Sequence, residues 1–158
     1  MIVNGEALLL AAPIKNMVQT KEREHGVSYG LGEAGYDIRV KQEIIFDYPD
    51  VWVDGKKNKG NFTIASAIEE FQMPNDLVGI VHDKSTWARR GLSLFNTVVE
   101  NGWKGFLTLE LVYHGTQELR IPAGAGIAQV IFHKTLMKAS YDGKYNNAGD
   151  FPQEAING

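Results

Sequence analysis

The sequence predicts an all-β domain, a sandwich or barrel, on the basis of three observations. Short apolar runs recur at nearly even spacing along the 158 residues. Glycine, proline and asparagine punctuate these runs, as is typical of strands joined by tight turns. A helical pattern is confined to one short segment near the N-terminus. A chain with 44% hydrophobic and 22% charged residues is expected to form one globular domain over residues 1–158.

The N-terminal half begins with a predicted short helix over residues 5–12, with Asn4 as N-cap and Pro13 as the stop signal. The charged run at 21–25 indicates a solvated loop. The β region is predicted to open with the segment Gly-Tyr-Asp-Ile-Arg at 35–39. It continues with a hairpin of strands 40–46 and 51–53, a mobile turn at 54–60, and strands at 62–68 and 77–82.

The C-terminal half repeats this pattern of short strands and tight turns. Its predicted strands are 92–99, 105–111, 119–122 and 127–132. The polar, glycine-containing tail from about residue 138 is expected to be flexible. Two interpretations of the tail stay open, a disordered end and a segment that closes over a site.

Residues that could bind a ligand or take part in catalysis are densest between 82 and 115. Lys84 and Arg89 can neutralise a polyanion, and arginine offers phosphate a planar, bidentate fork. Ser85 and Thr86 add hydroxyls that can donate to phosphate oxygens or hold a water molecule. The cluster therefore predicts a small-anion site.

Glu110 is a carboxylate set into a leucine-rich strand pattern. Strand side chains alternate between faces, so Leu109 and Leu111 point one way and Glu110 the other. If the carboxylate is buried, desolvation raises its pKa towards neutrality, which suits a general base. A solvated surface glutamate is the alternative.

Together these segments resemble the dCTP deaminase/dUTPase superfamily over roughly residues 30 to 150. The similarity is carried by Lys-Ser-Thr-Trp-Ala-Arg-Arg-Gly at 84–91, Val-Glu-Asn-Gly-Trp-Lys-Gly at 99–105 and Leu-Glu at 109–110, with Gly-Tyr-Asp-Ile-Arg at 35–39. The resemblance implies a distorted jelly roll (the dUTPase-like β-clip) and a homotrimer with its sites at subunit interfaces.

The resemblance also implies a reaction, the hydrolytic deamination of dCTP to dUTP and ammonia. The resemblance implies that Glu110 is the general base and that Ser85 and Arg89 are the other catalytic residues. Contacts to the deoxynucleoside triphosphate are implied for a further set of residues: Lys84, Thr86, Glu100, Lys144, Tyr145 and Asn147. Trp87 and Trp103 are interpreted as core or interface residues.

Several positions depart from the family pattern. Lys84 stands where the family usually has arginine, and Ala148 stands where its tail motif has glutamine. Glu100 replaces an aspartate that orients the attacking water in dUTPases of the family. The Glu100 departure falls on the part of the site that dUTP hydrolysis depends on most, and it therefore favours deamination. A dUTP diphosphatase, a bifunctional enzyme and a non-catalytic nucleotide-binding member remain as alternatives.

Mg²⁺ is the expected cofactor, carried by the triphosphate. In dUTPases of the family the aspartate corresponding to Asp37 helps to hold hydrated magnesium, so Asp37 is either a contact through water or a buried structural residue. No zinc is expected, because zinc-dependent nucleobase deaminases need a Pro-Cys-x-x-Cys motif and the chain has no cysteine.

Composition limits the partners and the location. A net charge of −3 argues against a broad nucleic-acid surface. No apolar run approaches the ~18 to 20 residues that cross a bilayer, and no signal peptide is expected. The absence of cysteine fits a reducing cytoplasm. The sequence therefore predicts a cytoplasmic enzyme with no nucleic-acid or membrane partner.

Overall fold

A computed structural model describes residues 1–158. It contains thirteen strands and two short helices. In chain order the elements are α1 (Gly5–Ala11), β1 (Lys21–Glu24), β2 (Val27–Leu31), β3 (Tyr36–Arg39), β4 (Ile44–Asp47), β5 (Asp50–Val53), β6 (Lys56–Lys59), β7 (Phe62–Gln72), β8 (Leu77–Asp83), α2 (Ser85–Ala88), β9 (Leu92–Leu94), β10 (Val98–Val99), β11 (Lys104–Tyr113), β12 (Leu119–Ile121) and β13 (Gly126–Lys134). The predicted all-β class is confirmed.

The strands form three sheets, and every ladder between them is antiparallel. The largest sheet has the order β1-β2-β3-β13-β8-β10. A second has the order β7-β11-β9, and a third the order β12-β4-β5-β6. Neither helix has the length and apolar character that crossing a membrane requires.

The apolar faces of the sheets meet in one core cluster of 29 buried residues. Strand alternation explains how β11 contributes to it. Leu109 and Leu111 are fully buried there, whereas Glu110 between them faces the other way and is half-buried. Trp87 and Trp103 are also buried in this cluster, as predicted for core residues.

The N-terminal helix matches the prediction closely. It ends at Ala11, because Ala12 adopts a left-handed φ of 47° immediately before Pro13. Asn4 is the N-cap residue, but its side chain makes no cap hydrogen bond. Its amide nitrogen instead donates to the backbone oxygen of Glu33 at 2.9 Å.

Two segments predicted as loops are strands. The charged run at 21–25 was expected to be a solvated loop, but Lys21–Glu24 pairs with β2 while all four side chains stay exposed. The turn at 54–60 was expected to be mobile, but Lys56–Lys59 pairs with β5. Both are exposed strands held by backbone pairing, so their side chains carry no apolar pattern. Lysines on an edge strand also discourage pairing with other chains.

The predicted strand at 92–99 is in fact two strands that belong to different sheets. β9 pairs with β11, whereas β10 pairs with β8. The intervening residues 95–97 carry the chain from one sheet to the other. An apolar run alone cannot reveal such a change of partner.

The tail is folded against the strands rather than extended into solvent. The backbone N–H of Asn147 donates to the Lys104 oxygen at 2.8 Å, and the N–H of Phe106 donates to the Ala148 oxygen at 2.9 Å. The indole N–H of Trp103 donates to the Tyr145 oxygen at 2.8 Å. These bonds tie residues 141–155, called here the strap, to the start of β11.

Candidate active site

A cavity of about 560 Å³ lies between β11, the segment 97–100 and the strap. This volume is within the range of small-molecule sites in proteins. Most of its wall is apolar, and the polar groups are few. The apolar and aromatic residues include Phe62, Ile64, Val98, Val99, Trp103, Phe106, Leu107, Tyr141 and Tyr145, and the polar ones are Thr97, Glu100, Thr108, Glu110, Gln153 and Glu154.

Glu110 is the half-buried carboxylate of this cavity. Strand alternation turns it away from the core, and the cavity wall removes it from bulk water. Its carboxylate has no hydrogen-bond or ion-pair partner among the contacts of the structure. Desolvation therefore raises the pKa of Glu110 above the ordinary value of 4.5. A carboxylate with these properties can accept a proton near neutral pH.

The charges of the cavity have one sign. Glu100, Glu110 and Glu154 line it, and no lysine or arginine does. A polyphosphate would be repelled by three carboxylates without a compensating cation. The cavity alone therefore suits an uncharged ring and its hydroxyl groups, and any phosphates must extend beyond it.

The predicted anion cluster lies on and around α2. Ser85, Thr86 and Arg89 have no side-chain hydrogen bond, and Arg89 forms no ion pair. Ser85 and Arg89 are exposed, and Thr86 is half-buried. The helix is anchored by Trp87, whose indole N–H donates to the Gly126 oxygen at 2.6 Å. This anchored helix presents its hydroxyls and the Arg89 guanidinium outward.

Lys84 has a different environment from the rest of this cluster. Its ammonium donates to Asp37 Oδ2 at 2.5 Å and to Ser28 Oγ at 2.8 Å. The Lys84 side chain is 10% exposed and that of Asp37 6%. Gln129 Nε2 donates to the second Asp37 oxygen at 3.4 Å. Lys84 thus neutralises a buried carboxylate inside the chain, and its predicted phosphate contact would require it to leave this pair.

The same contacts bear on the predicted magnesium contact. Both oxygens of Asp37 already accept hydrogen bonds from neighbouring side chains. Nowhere does the structure group three or more histidine, aspartate or glutamate side chains as a metal site. The contacts of Asp37 with Ser28, Lys84 and Gln129 are those of a buried structural residue, which was the alternative to a magnesium contact.

Within one chain the structure brings together some predicted site residues and separates others. Glu110, Glu100 and Tyr145 line the same cavity. The α2 cluster is not among its lining residues. Lys144 donates to the Ile156 oxygen, and Asn147 lines a separate cavity of about 520 Å³ together with Lys15, Glu70 and Lys104.

Sequence reasoning missed several residues around Glu110. Thr108 lies two residues earlier on the same face of β11, and its hydroxyl accepts the Gln153 N–H at 2.9 Å. This bond holds the strap across the cavity. Asn96 bonds the backbone of β11 on both sides of Leu109. The alternation of strand side chains could have found Thr108, but the sequence carries no signal for Gln153 or Asn96.

Comparison with known proteins supplies the family. The model of the dCTP deaminase-like family matches residues 57–135. The dCTP deaminase of Campylobacter jejuni strain RM1221 is 38% identical over 124 residues, which cover 67% of this chain and 67% of that protein. The chain belongs to the dCTP deaminase-like family. The predicted superfamily is confirmed, and with it the prediction that the chain is an enzyme.

Solved structures show the same fold at low sequence identity. The 2′-deoxycytidine 5′-triphosphate deaminase from Agrobacterium tumefaciens has a TM-score of 0.56 and 17% identity, over 83% of this chain and 47% of that one. A mutant dUTPase from phage phi11 of S. aureus, with a coordinated structural Mg(II) ion, has a TM-score of 0.52 and 13% identity. The match covers 84% of this chain and 94% of the phage protein. These matches confirm the dUTPase-like fold.

Proposed function

We propose that this chain is a dCTP deaminase, a single domain over residues 1–158 that hydrolyses dCTP to dUTP and ammonia. The observation that carries the proposal is the unpartnered, half-buried carboxylate of Glu110 in a mostly apolar cavity. Burial raises the pKa of this carboxyl group, as a general base at neutral pH requires. The similarity to proteins named dCTP deaminase supports the choice of reaction.

The proposed chemistry needs one base and one water molecule. As the water oxygen attacks C4 of the cytosine ring, Glu110 accepts a proton from it and a tetrahedral centre forms. That proton then passes to the amino nitrogen, the C4–N bond breaks, and ammonia leaves. The second water proton moves from the C4 hydroxyl to ring nitrogen N3 as the C4 carbonyl forms. A positioned base contributes about 10²–10⁴ in rate to such a step. The mechanism does not call on a cysteine-bound zinc ion, in keeping with a chain that has no cysteine.

We propose that a second copy of the chain completes each site. The cavity with Glu110 lacks a cation, whereas Arg89 on α2 lacks an anion. Phe62 and Val98, which line the cavity, are 48% and 44% exposed, and Phe95 is 59% exposed, so apolar surface is available for association. A closed ring of three copies would place Ser85, Thr86 and Arg89 of one subunit near Glu110 of the next.

Magnesium belongs to the triphosphate in this proposal. Mg²⁺ is usually held by substrate phosphates and one or two carboxylates, with water filling the remaining positions. Asp37 does not fit as a ligand while Lys84 and Ser28 occupy its Oδ2 atom. The acidic residues nearest the substrate would be those of the cavity, of which Glu100 and Glu154 are exposed.

One observation favours dUTP diphosphatase activity as a second candidate. In the dUTPases that this sequence resembles, the position of Glu100 holds an aspartate that orients the attacking water. Glu100 lines the cavity here. Its carboxylate could activate water against a phosphate instead of a ring carbon. Pyrophosphate release from dUTP would reveal this activity, alone or beside deamination.

The test combines two substitutions on opposite sides of the proposed interface. We expect Glu110→Gln and Arg89→Ala each to lower ammonia release from dCTP by at least about 10²-fold. Each variant is assayed alone with dCTP and dUTP, with ammonia and pyrophosphate measured separately. Both are then co-expressed, so that mixed oligomers form.

Mixing distinguishes a shared site from a site within one chain. In random trimers, about a quarter of the shared sites pair an intact Glu110 with an intact Arg89 from different subunits. Recovery of about a quarter of wild-type activity is therefore expected. No recovery would refute the shared site, and near-normal turnover by Glu110→Gln alone would refute the mechanism.

A further inference from the structure

The cavity exists because the chain leaves β11 immediately beside Glu110. Leu94 still pairs with Leu111, and the Phe95 N–H donates to the Glu110 oxygen at 2.9 Å. Two residues later, the Thr97 oxygen accepts the N–H of Val81 in the other sheet at 3.2 Å. The backbone that would have continued the ladder along β11 has moved away, and the space between the two sheets opens there.

This departure would leave two backbone groups of β11 without partners. They are the N–H of Glu110 and the carbonyl oxygen of Thr108, which face the same edge because strand residues two apart share an orientation. Unpaired backbone groups away from water are costly, so native proteins satisfy nearly all of them.

Asn96 satisfies both groups with its side chain. Its Oδ1 accepts the Glu110 N–H at 2.9 Å, and its Nδ2 donates to the Thr108 oxygen at 2.7 Å. An asparagine amide presents one acceptor and a donor group in a fixed plane. The amide thus replaces a strand partner and bridges the backbone on both sides of Leu109, whose side chain is fully buried.

We propose that Asn96 is a positioning residue that fixes the place of the Glu110 carboxylate in the cavity. This inference rests on the proposed function of Glu110. Without the amide, β11 would be held at this point only from the β7 side, and water could enter to satisfy the two freed groups. A displacement of about 1 Å at a catalytic group can cost about 10²-fold in rate.

The substitutions Asn96→Ala and Asn96→Asp separate positioning from stability. Alanine removes both bonds. Aspartate keeps the shape and the acceptor for the Glu110 N–H, but it loses the donor and adds a negative charge. The other titratable groups that the same chain contributes to the cavity are Glu100, Glu154, Tyr141 and Tyr145, and none is cationic. The only cation near the added charge would then be Arg89 of the neighbouring subunit, which already faces Glu110 in the proposed shared site.

We expect Asn96→Ala to lower kcat for dCTP about 10- to 100-fold while KM changes less than about threefold. For Asn96→Asp we expect the acidic limb of the kcat profile to move to higher pH, because a neighbouring anion favours the protonated form of Glu110. Hydrogen exchange of the Glu110 amide, followed by NMR, should become at least about tenfold faster in Asn96→Ala.

Asn61→Ala is the matched control. The Asn61 side chain donates to the Tyr113 oxygen of the same strand at 3.2 Å and does not line the cavity. We expect its kcat and pH profile to match the wild type. If Asn96→Ala keeps kcat within about twofold of the wild type while the enzyme deaminates dCTP, the inference is wrong. A wild-type protein that releases no ammonia refutes the proposed function instead, and amide exchange then still reports whether Asn96 holds Glu110.

Discussion

Replacing Asp37 with asparagine removes the charge that faces the Lys84 ammonium while keeping the shape of the side chain. The two side chains are 6% and 10% exposed, and the distance from Nζ to Oδ2 is 2.5 Å. Removing one partner of a buried ion pair costs about 3–5 kcal/mol, because the remaining charge is left uncompensated. We expect Asp37→Asn to lower the free energy of unfolding by about 3 kcal/mol, since the amide still offers an acceptor.

The complementary change, Lys84→Met, keeps the length of the side chain but removes its charge. Asp37 would then keep only Ser28 at 3.1 Å and Gln129 at 3.4 Å as donors, so a loss of similar size is expected. In the double variant no uncompensated charge remains. Its loss should therefore be smaller than the sum of the two single losses by about 2–3 kcal/mol.

The assay is equilibrium unfolding in urea, followed by circular dichroism at one fixed subunit concentration, because association would add to apparent stability. Additivity of the two single losses within about 0.5 kcal/mol would refute the buried pair. The KM for dCTP adds a second test. If Lys84 mainly anchors the start of α2, both variants should raise KM alike. A rise confined to Lys84→Met would restore its predicted role at the triphosphate.

Two further predictions concern the strap and the base. Gly105 has a φ of 137°, and a Cβ there would lie 2.6 Å from the Ala148 nitrogen, so Gly105→Ala should detach the strap and make the tail about tenfold more sensitive to protease. Gly55→Ala, with a φ of 79° and no atom within 4 Å of the new Cβ, should leave the tail protected. The acidic limb of the kcat profile should have its midpoint above 4.5, because burial raises the pKa of Glu110 and only its deprotonated form acts as a base. A midpoint at or below 4.5 would contradict that assignment.

Local patterns predicted those features of the fold that depend on neighbouring residues. The alternation of Leu109, Glu110 and Leu111 predicted which side of β11 faces the core, because successive strand side chains point to opposite faces. Likewise, Pro13 marked the end of the first helix. Edge strands such as β1 and β6 escaped prediction, because their side chains are solvated and only backbone pairing defines them.

Contacts between distant residues could not be predicted in this way. Lys84 looked like a free cation in its own segment, but the fold brings it to Asp37, a residue 47 positions earlier. The strap was expected to be flexible because its composition is polar, yet its backbone groups bond β11 and its Gln153 N–H bonds Thr108. Composition does not record which backbone groups of a neighbouring strand are unpaired.

The site forms because residues 95–97 leave the sheet of β11 and cross to the sheet of β8. If these residues had continued along β11, its edge would be covered by backbone and no cavity would lie beside Glu110. Because the chain crosses to β8 instead, Glu110 gains a desolvated space, but its own N–H loses a backbone partner. The Asn96 side chain supplies the missing partner, since it hydrogen-bonds the Glu110 N–H and the Thr108 oxygen without filling the cavity. The physical requirement for an open site thus selects an amide at position 96, where an apolar residue would suit a continuous strand better.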